Sequence, residues 1–116
     1  MSEPVGPIQE RAPGSGIVVL CFDGANGERA RAAATVDHLK YVEAILHEIN
    51  VAGPLFDPSG MQTIGSLYVL QTTDETEARQ IVENDPYFKA GAFAEVRYQR
   101  FLPAAGHYIG GTHYFF

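Results

Sequence analysis

The sequence is poor in thiols and in positive charge. Among its 116 residues Cys21 is the single cysteine, which excludes an internal disulfide and any zinc centre built on clustered cysteines. Lys and Arg total 8 against 14 Asp and Glu, for a formal net charge of −6. A nucleic-acid partner needs a clustered basic footprint, and these scattered cations supply none. No apolar run approaches the ~20 residues that span a bilayer, so no membrane partner is expected. Residues 1–16, rich in Pro, Gly and Ser, lack the basic start and apolar centre of a signal peptide and read as a flexible arm. A cytoplasmic protein is the default expectation.

What the chain does have is enough for one modest hydrophobic core. Ile17–Phe22 is a continuous apolar run rich in β-branched residues, the pattern of a strand buried on both faces, with Cys21 as an inert thiol inside it. Asp23-Gly-Ala-Asn-Gly27 is turn chemistry. A helix follows, from about Arg29 or Thr35 to Asn50, with Thr35 able to cap a second start. Its apolar stripe is formed by Leu39, Val42, Leu46 and Ile49. Val51–Asp57 reads as a short strand, at a sheet edge or bulged at Pro54 because proline cannot donate to a ladder. A turn at 57–60 leads to a longer strand over 62–71, completing a hairpin. The acidic start of 74–83 and its Ala78, Ile81 and Val82 predict a second helix against the sheet, ended at Asn84-Asp85-Pro86. One helical turn over 87–91 and an alternating strand over 93–102 close the order.

That order, β-α-β-β-α-β, is the ferredoxin-like split arrangement: an α+β fold with a four-stranded antiparallel sheet carrying two helices on one face. The other face needs cover, and a second copy packed sheet against sheet, a homodimer, is the expected partner. The tail over 103–116 is aromatic-rich, with Tyr108, Tyr114, Phe115 and Phe116 expected to pack across a partner or over a pocket.

His38 is the residue the chemistry turns on. It borders the helix stripe, where an imidazole can be held in one pose and still titrate near neutral pH. A ring simply hydrogen-bonded at a core edge is the commoner reading of such a position. Asp85 is its natural partner, since Pro86 frees that carboxylate from helical geometry and both helices lie on the same sheet face. The pairing would fix the tautomer and raise the basicity of the other nitrogen. The plain alternative for Asp85-Pro86 is a helix stop.

Four short signatures run in order: Arg31-x6-His38-Leu-x-Tyr41, then Gly53-Pro54-Leu55, then Gly65-Ser66-Leu67, then Asp85-Pro86-Tyr87 with Gly91. Together they resemble the YciI-like (YCII-related) family, over roughly residues 17–102. The resemblance implies a ferredoxin-like fold that dimerises as an α+β barrel. It also implies a histidine–aspartate pair at His38 and Asp85, with Arg31 as the anchor for an anionic substrate group. Thr35 departs from the family pattern, in which many members carry a second arginine there. The few assigned family reactions imply a lyase or isomerase that needs no cofactor.

The candidate site is therefore His38 and Asp85 as the catalytic pair, with Arg31, Gly53, Pro54 and Ser66 binding a small oxygenated cyclic or aromatic substrate. Ser66 reads either as sheet packing or as a pocket hydroxyl, and Tyr41 and Tyr68 as core aromatics or cavity walls. His107 and His113, six apart in a Gly-rich tail, match no usual zinc spacing, and no metal is expected. Two other readings of the same fold stay open: a module that binds a small molecule without turnover, and a domain whose business is dimerisation.

Overall fold

The computed structural model describes residues 15–112. The elements are β1 (Gly16–Asp23), α1 (Gly27–Ala44), β2 (Ile49–Phe56), β3 (Thr63–Leu70), α2 (Glu75–Glu83), α3 (Pro86–Lys89), β4 (Phe93–Phe101), and a small hairpin of β5 (Ala105–Gly106) and β6 (Gly111–Thr112). The first four strands form one antiparallel sheet in the order β2-β3-β1-β4. This is the split β-α-β-β-α-β arrangement expected from the sequence, with α3 as the extra turn before β4. No described helix is long and apolar enough to cross a membrane.

Strand pairing sets which side chains meet. Ile17 lies opposite Leu70, Val19 opposite Tyr68 and Cys21 opposite Ser66, with Tyr98 and Val96 of β4 on the same face. Ala78, Ile81 and Val82 of α2 close over this row to make the main core. Burying apolar surface at ~25 cal/mol per Å² is what holds the two layers together. A second, smaller cluster joins Ala30 and Ala34 of α1 to Tyr87 and Ala92. Pro54 sits in an edge strand, which tolerates its missing donor; the register slips fall near the two ends of β2, not at Pro54.

Two expectations about α1 are corrected. The helix is continuous through Thr35, whose hydroxyl donates to the Arg31 carbonyl one turn back at 2.6 Å and so caps nothing. It also ends at Ala44, well before Asn50. A single 3₁₀ turn follows, and Ile49 and Asn50 already belong to β2, where Ile49 pairs with Leu70 against the core.

The face that α1 presents also differs from the expected one. Gly27, Ala30 and Ala34 are its buried residues, with Arg31, Thr35, His38, Tyr41, Val42 and Ile45 half-buried alongside. Leu39 is 55% exposed and Leu46 60%. The helix thus turns its small and polar side chains inward and leaves half of the expected stripe in solvent. Helices over an ordinary core do the reverse, and the inversion sets Arg31 and His38 on the inward side of α1.

Candidate functional site

The inward face of α1 brings Arg31 and His38 over the sheet. At the end of β1, Asp23 receives Arg31 in a two-point bond, Nε to Oδ2 at 2.7 Å and Nη2 to Oδ1 at 2.8 Å. Gly27 makes room for this: a Cβ there would lie 2.6 Å from Asp23 Oδ2. Arg31 Nη2 also donates to Ser66 Oγ of β3 at 2.9 Å. The guanidinium lies over the rings of Tyr87, at 4.8 Å, and Phe93, at 5.5 Å. Burial works against its charge, and the bond to Asp23 more than offsets it, holding Arg31 above its ordinary value.

Asp85 is fully buried at the junction of α2 and α3. Pro86 keeps it out of helical geometry, and its side chain caps α3 by accepting the Tyr87 N–H at 2.8 Å. The helix-stop reading of Asp85 therefore holds, and a second role comes with it. His38 Nδ1 lies 2.8 Å from Asp85 Oδ1. The imidazole is also stacked on Tyr87, with centroids 3.8 Å apart and the planes 12° from parallel. The Tyr68 hydroxyl donates to the other oxygen, Oδ2. A Tyr O–H and a backbone N–H donate to Asp85, and the tautomer of His38 that donates to it as well carries its proton on Nδ1 and leaves Nε2 open.

Beside these groups lies a cavity of about 360 Å³ between α1 and the β2–β3 edge of the sheet. Arg31, His38, Ser66, Tyr68 and Tyr87 supply its polar and aromatic wall; Leu39, Val42 and Leu67 its apolar one; and Ala52, Gly53 and Pro54 its outer rim. Such a volume is at the small end of ligand sites, ~300–1,000 Å³. All of the sequence-derived candidates except the buried Asp85 line it, and Asp85 reaches it through His38.

Sequence reasoning missed Asp23 and Gly27, read as turn residues only. The available signal was an acid ending a buried apolar strand eight positions before an inward-facing arginine. Tyr41 takes no place in this wall: its hydroxyl donates to the Ile81 carbonyl at 2.6 Å. Cys21 is buried, and its desolvated thiol is pushed up to about 12, which makes it a poor nucleophile.

A larger, mostly apolar groove of about 1050 Å³ runs beside residues 101–109, with Val51 and Val69 in its wall. Tyr108 at its rim is 95% exposed and covers little within the described chain. His113 and Tyr114–Phe116 lie outside the described residues. Among the described residues no three His, Cys, Asp or Glu side chains converge as a metal site.

Residues 16–102 match the model of a family described as the YCII-related domain. Among solved structures, a 5-chloro-2-hydroxyhydroquinone dehydrochlorinase from Burkholderia phenoliruptrix AC1100, in complex with 2,5-dihydroxybenzoquinone, superposes with a TM-score of 0.66 at 26% identity, covering 79% of this chain and 96% of that one. A dimeric ferredoxin-like protein of unknown function from Thermobifida fusca YX gives a TM-score of 0.43 at 12% identity, covering 78% of this chain and 93% of that one. No curated protein matches the chain.

Proposed function

The chain belongs to the YCII-related domain family, and from that premise we propose that it is a lyase or isomerase doing general acid–base chemistry on a small oxygenated cyclic or aromatic compound. His38 Nε2 takes a proton from the substrate. Asp85 holds the ring in the reactive tautomer and stabilises the imidazolium that forms. Arg31 and the Ser66 hydroxyl meet the negative charge that develops on a substrate oxygen. In an elimination, the leaving anion departs with its bonding pair and His38 passes the proton on; in an isomerisation, His38 returns it to another atom. Neither course changes the oxidation level of the protein.

One observation carries this reading: the His38–Asp85 contact of 2.8 Å lies at the wall of a small cavity that Arg31 and Ser66 also line. The dehydrochlorinase of the same fold acts on a hydroxylated ring, which supports that class of substrate here. The first compound to assay is 5-chloro-2-hydroxyhydroquinone, followed through chloride release. Turnover that is lost in folded His38→Ala supports the proposal. Turnover retained in that variant, or none by the parent protein across a panel of hydroxylated rings, overturns it.

We also propose a second copy of the chain as partner, packed on the uncovered sheet face. Val18, Leu20 and Phe22 of β1 point away from the helices, in register with Val69 and Leu67 of β3, and Val51 and Phe101 stand exposed beside them. A self-complementary apolar face of this kind suits a two-fold contact. Sedimentation at micromolar concentration should give twice the chain mass, and a monomer there would remove this part of the proposal.

A further inference from the structure

A carboxylate without access to water depends on fixed donors for its stabilisation. Asp85 has them on both oxygens. His38 Nδ1 and the Tyr87 N–H reach Oδ1, each at 2.8 Å. Oδ2 is held from the opposite side by the hydroxyl of Tyr68, on the central strand β3. Tyr68 is itself almost wholly buried and reaches the cavity wall. We propose that Tyr68 is a positioning residue: its phenol fixes the Asp85 carboxylate and draws charge from it, so that His38 keeps an unprotonated nitrogen toward the cavity. The proposal rests on the reading of His38 and Asp85 as an acid–base pair.

Two donors share one carboxylate, and each weakens the claim of the other on its charge. A bare carboxylate stabilises an imidazolium strongly, which keeps the ring protonated and useless as a base near neutral pH. A donor on the far oxygen moderates that stabilisation. The phenol is suited to the task because burial and the nearby Asp85 both raise it, so it stays a donor across the neutral range.

The other groups around the pair do not serve in its place. From β1, the Cys21 thiol is pushed up to about 12 and is neutral. From α1, Tyr41 is raised by burial and donates to the Ile81 carbonyl, while the guanidinium of Arg31 bonds Asp23 and Ser66 rather than Asp85. From α3, Tyr87 offers its ring face and its backbone N–H, and its hydroxyl donates to Thr35 at 3.4 Å. From α2, Ile81 contributes a carbonyl already taken by Tyr41. Tyr68 alone among these puts a side-chain donor on the second oxygen.

The test needs no substrate. In protein labelled with ¹⁵N-histidine, the ring nitrogens of His38 report its tautomer and the pH at which it takes up a second proton. Asp85→Asn should move that midpoint down. Tyr68→Phe should move it up, by about half to one pH unit, because His38 feels only part of the ~1–2 units that a lost bond to a charged group is worth at Asp85 itself. Replacing Tyr68 by 3-fluorotyrosine keeps the shape and strengthens the donor, so the midpoint should fall; this variant decides the matter if the phenylalanine one does not fold. A midpoint that Asp85→Asn leaves unmoved removes the acid–base pair itself. A midpoint that responds to Asp85→Asn but to neither change at Tyr68 removes only the role proposed for Tyr68.

Discussion

Arg31 is locked to Asp23 through two parallel bonds at 2.7 and 2.8 Å, across the turn that joins β1 to α1. A fork-on-fork pair of this kind fixes direction as well as distance. It sets where the guanidinium stands relative to Ser66, and with it one wall of the cavity. Asp23→Ala should cost roughly 3 kcal/mol in urea unfolding, because it leaves a half-buried cation without its partner. Gly27→Ala should disturb the same pair from the side, since the added methyl would lie 2.6 Å from the Asp23 carboxylate. Loss of stability with Asp23→Ala and none with Gly27→Ala would mean that the turn has room to spare.

The ring of Tyr87 is the platform on which His38 rests, 3.8 Å away and nearly parallel. Tyr87→Leu keeps an apolar side chain and removes the stack. Contacts of this type are worth ~0.5–1.5 kcal/mol beyond area burial. Turnover should fall by roughly threefold to tenfold through kcat, with the fold intact. An unchanged kcat would show that Asp85 alone orients the imidazole.

Much of the architecture was legible because the strands carry their own signals. Ile17–Phe22 is apolar at every position, and Asn84-Asp85-Pro86 is a clear helix stop. The two partners of the candidate pair lie 47 positions apart, yet family signatures put both on the list, and the structure brings them within 2.8 Å. What stayed hidden was the orientation of α1. Pattern reading assigns the apolar side of a helix to the core, but here Arg31 and His38 face the cavity, Leu39 is left more than half exposed beside it, and Leu46 is displaced outward. The hidden role of Asp23 has the same origin. A turn-forming residue type and a charged partner for an inward arginine look identical until the helix is rotated correctly.

Alkaline stability follows from burial. The Cys21 thiol ionises near 9.0 when unconstrained and at about 12 in the fold, raised first by desolvation. Its folded value lies above its unfolded one, so its contribution is fully present below about pH 9 and is lost as pH rises toward 12. Across that window the unfolded chain has shed a proton that the native one retains. Stability therefore falls, by at most about 1.4 kcal/mol per pH unit from this one group. Tyr98, raised to about 12 by burial against the opposing pull of Arg79, adds a loss of the same sign from about pH 10. Denaturant melts of the parent and Cys21→Ala at about pH 8, 10 and 11 isolate the thiol. The gap between the two proteins should shift against the parent as pH rises, and a constant gap would refute the assignment.

The inverted face of α1 makes a prediction opposite to that of the sequence pattern. If Leu39, Val42, Leu46 and Ile49 had formed one core stripe, Val36 beside them would be half-buried and a charge there costly. Val36 is instead 66% exposed, whereas Ala34 is buried in the small cluster with Ala30, Tyr87 and Ala92. Val36→Lys should change unfolding free energy by no more than about 0.5 kcal/mol, helped by the better helix propensity of lysine. Ala34→Leu adds three carbons where Tyr87 packs and should cost ~1–3 kcal/mol through overpacking. The same change should push Tyr87 and weaken its stack on His38, so the ¹⁵N signals of the imidazole should move in Ala34→Leu and stay still in Val36→Lys. The reverse ranking, with Val36→Lys the damaging variant, would mean that α1 is rotated from the orientation described and that Arg31 and His38 do not share a cavity.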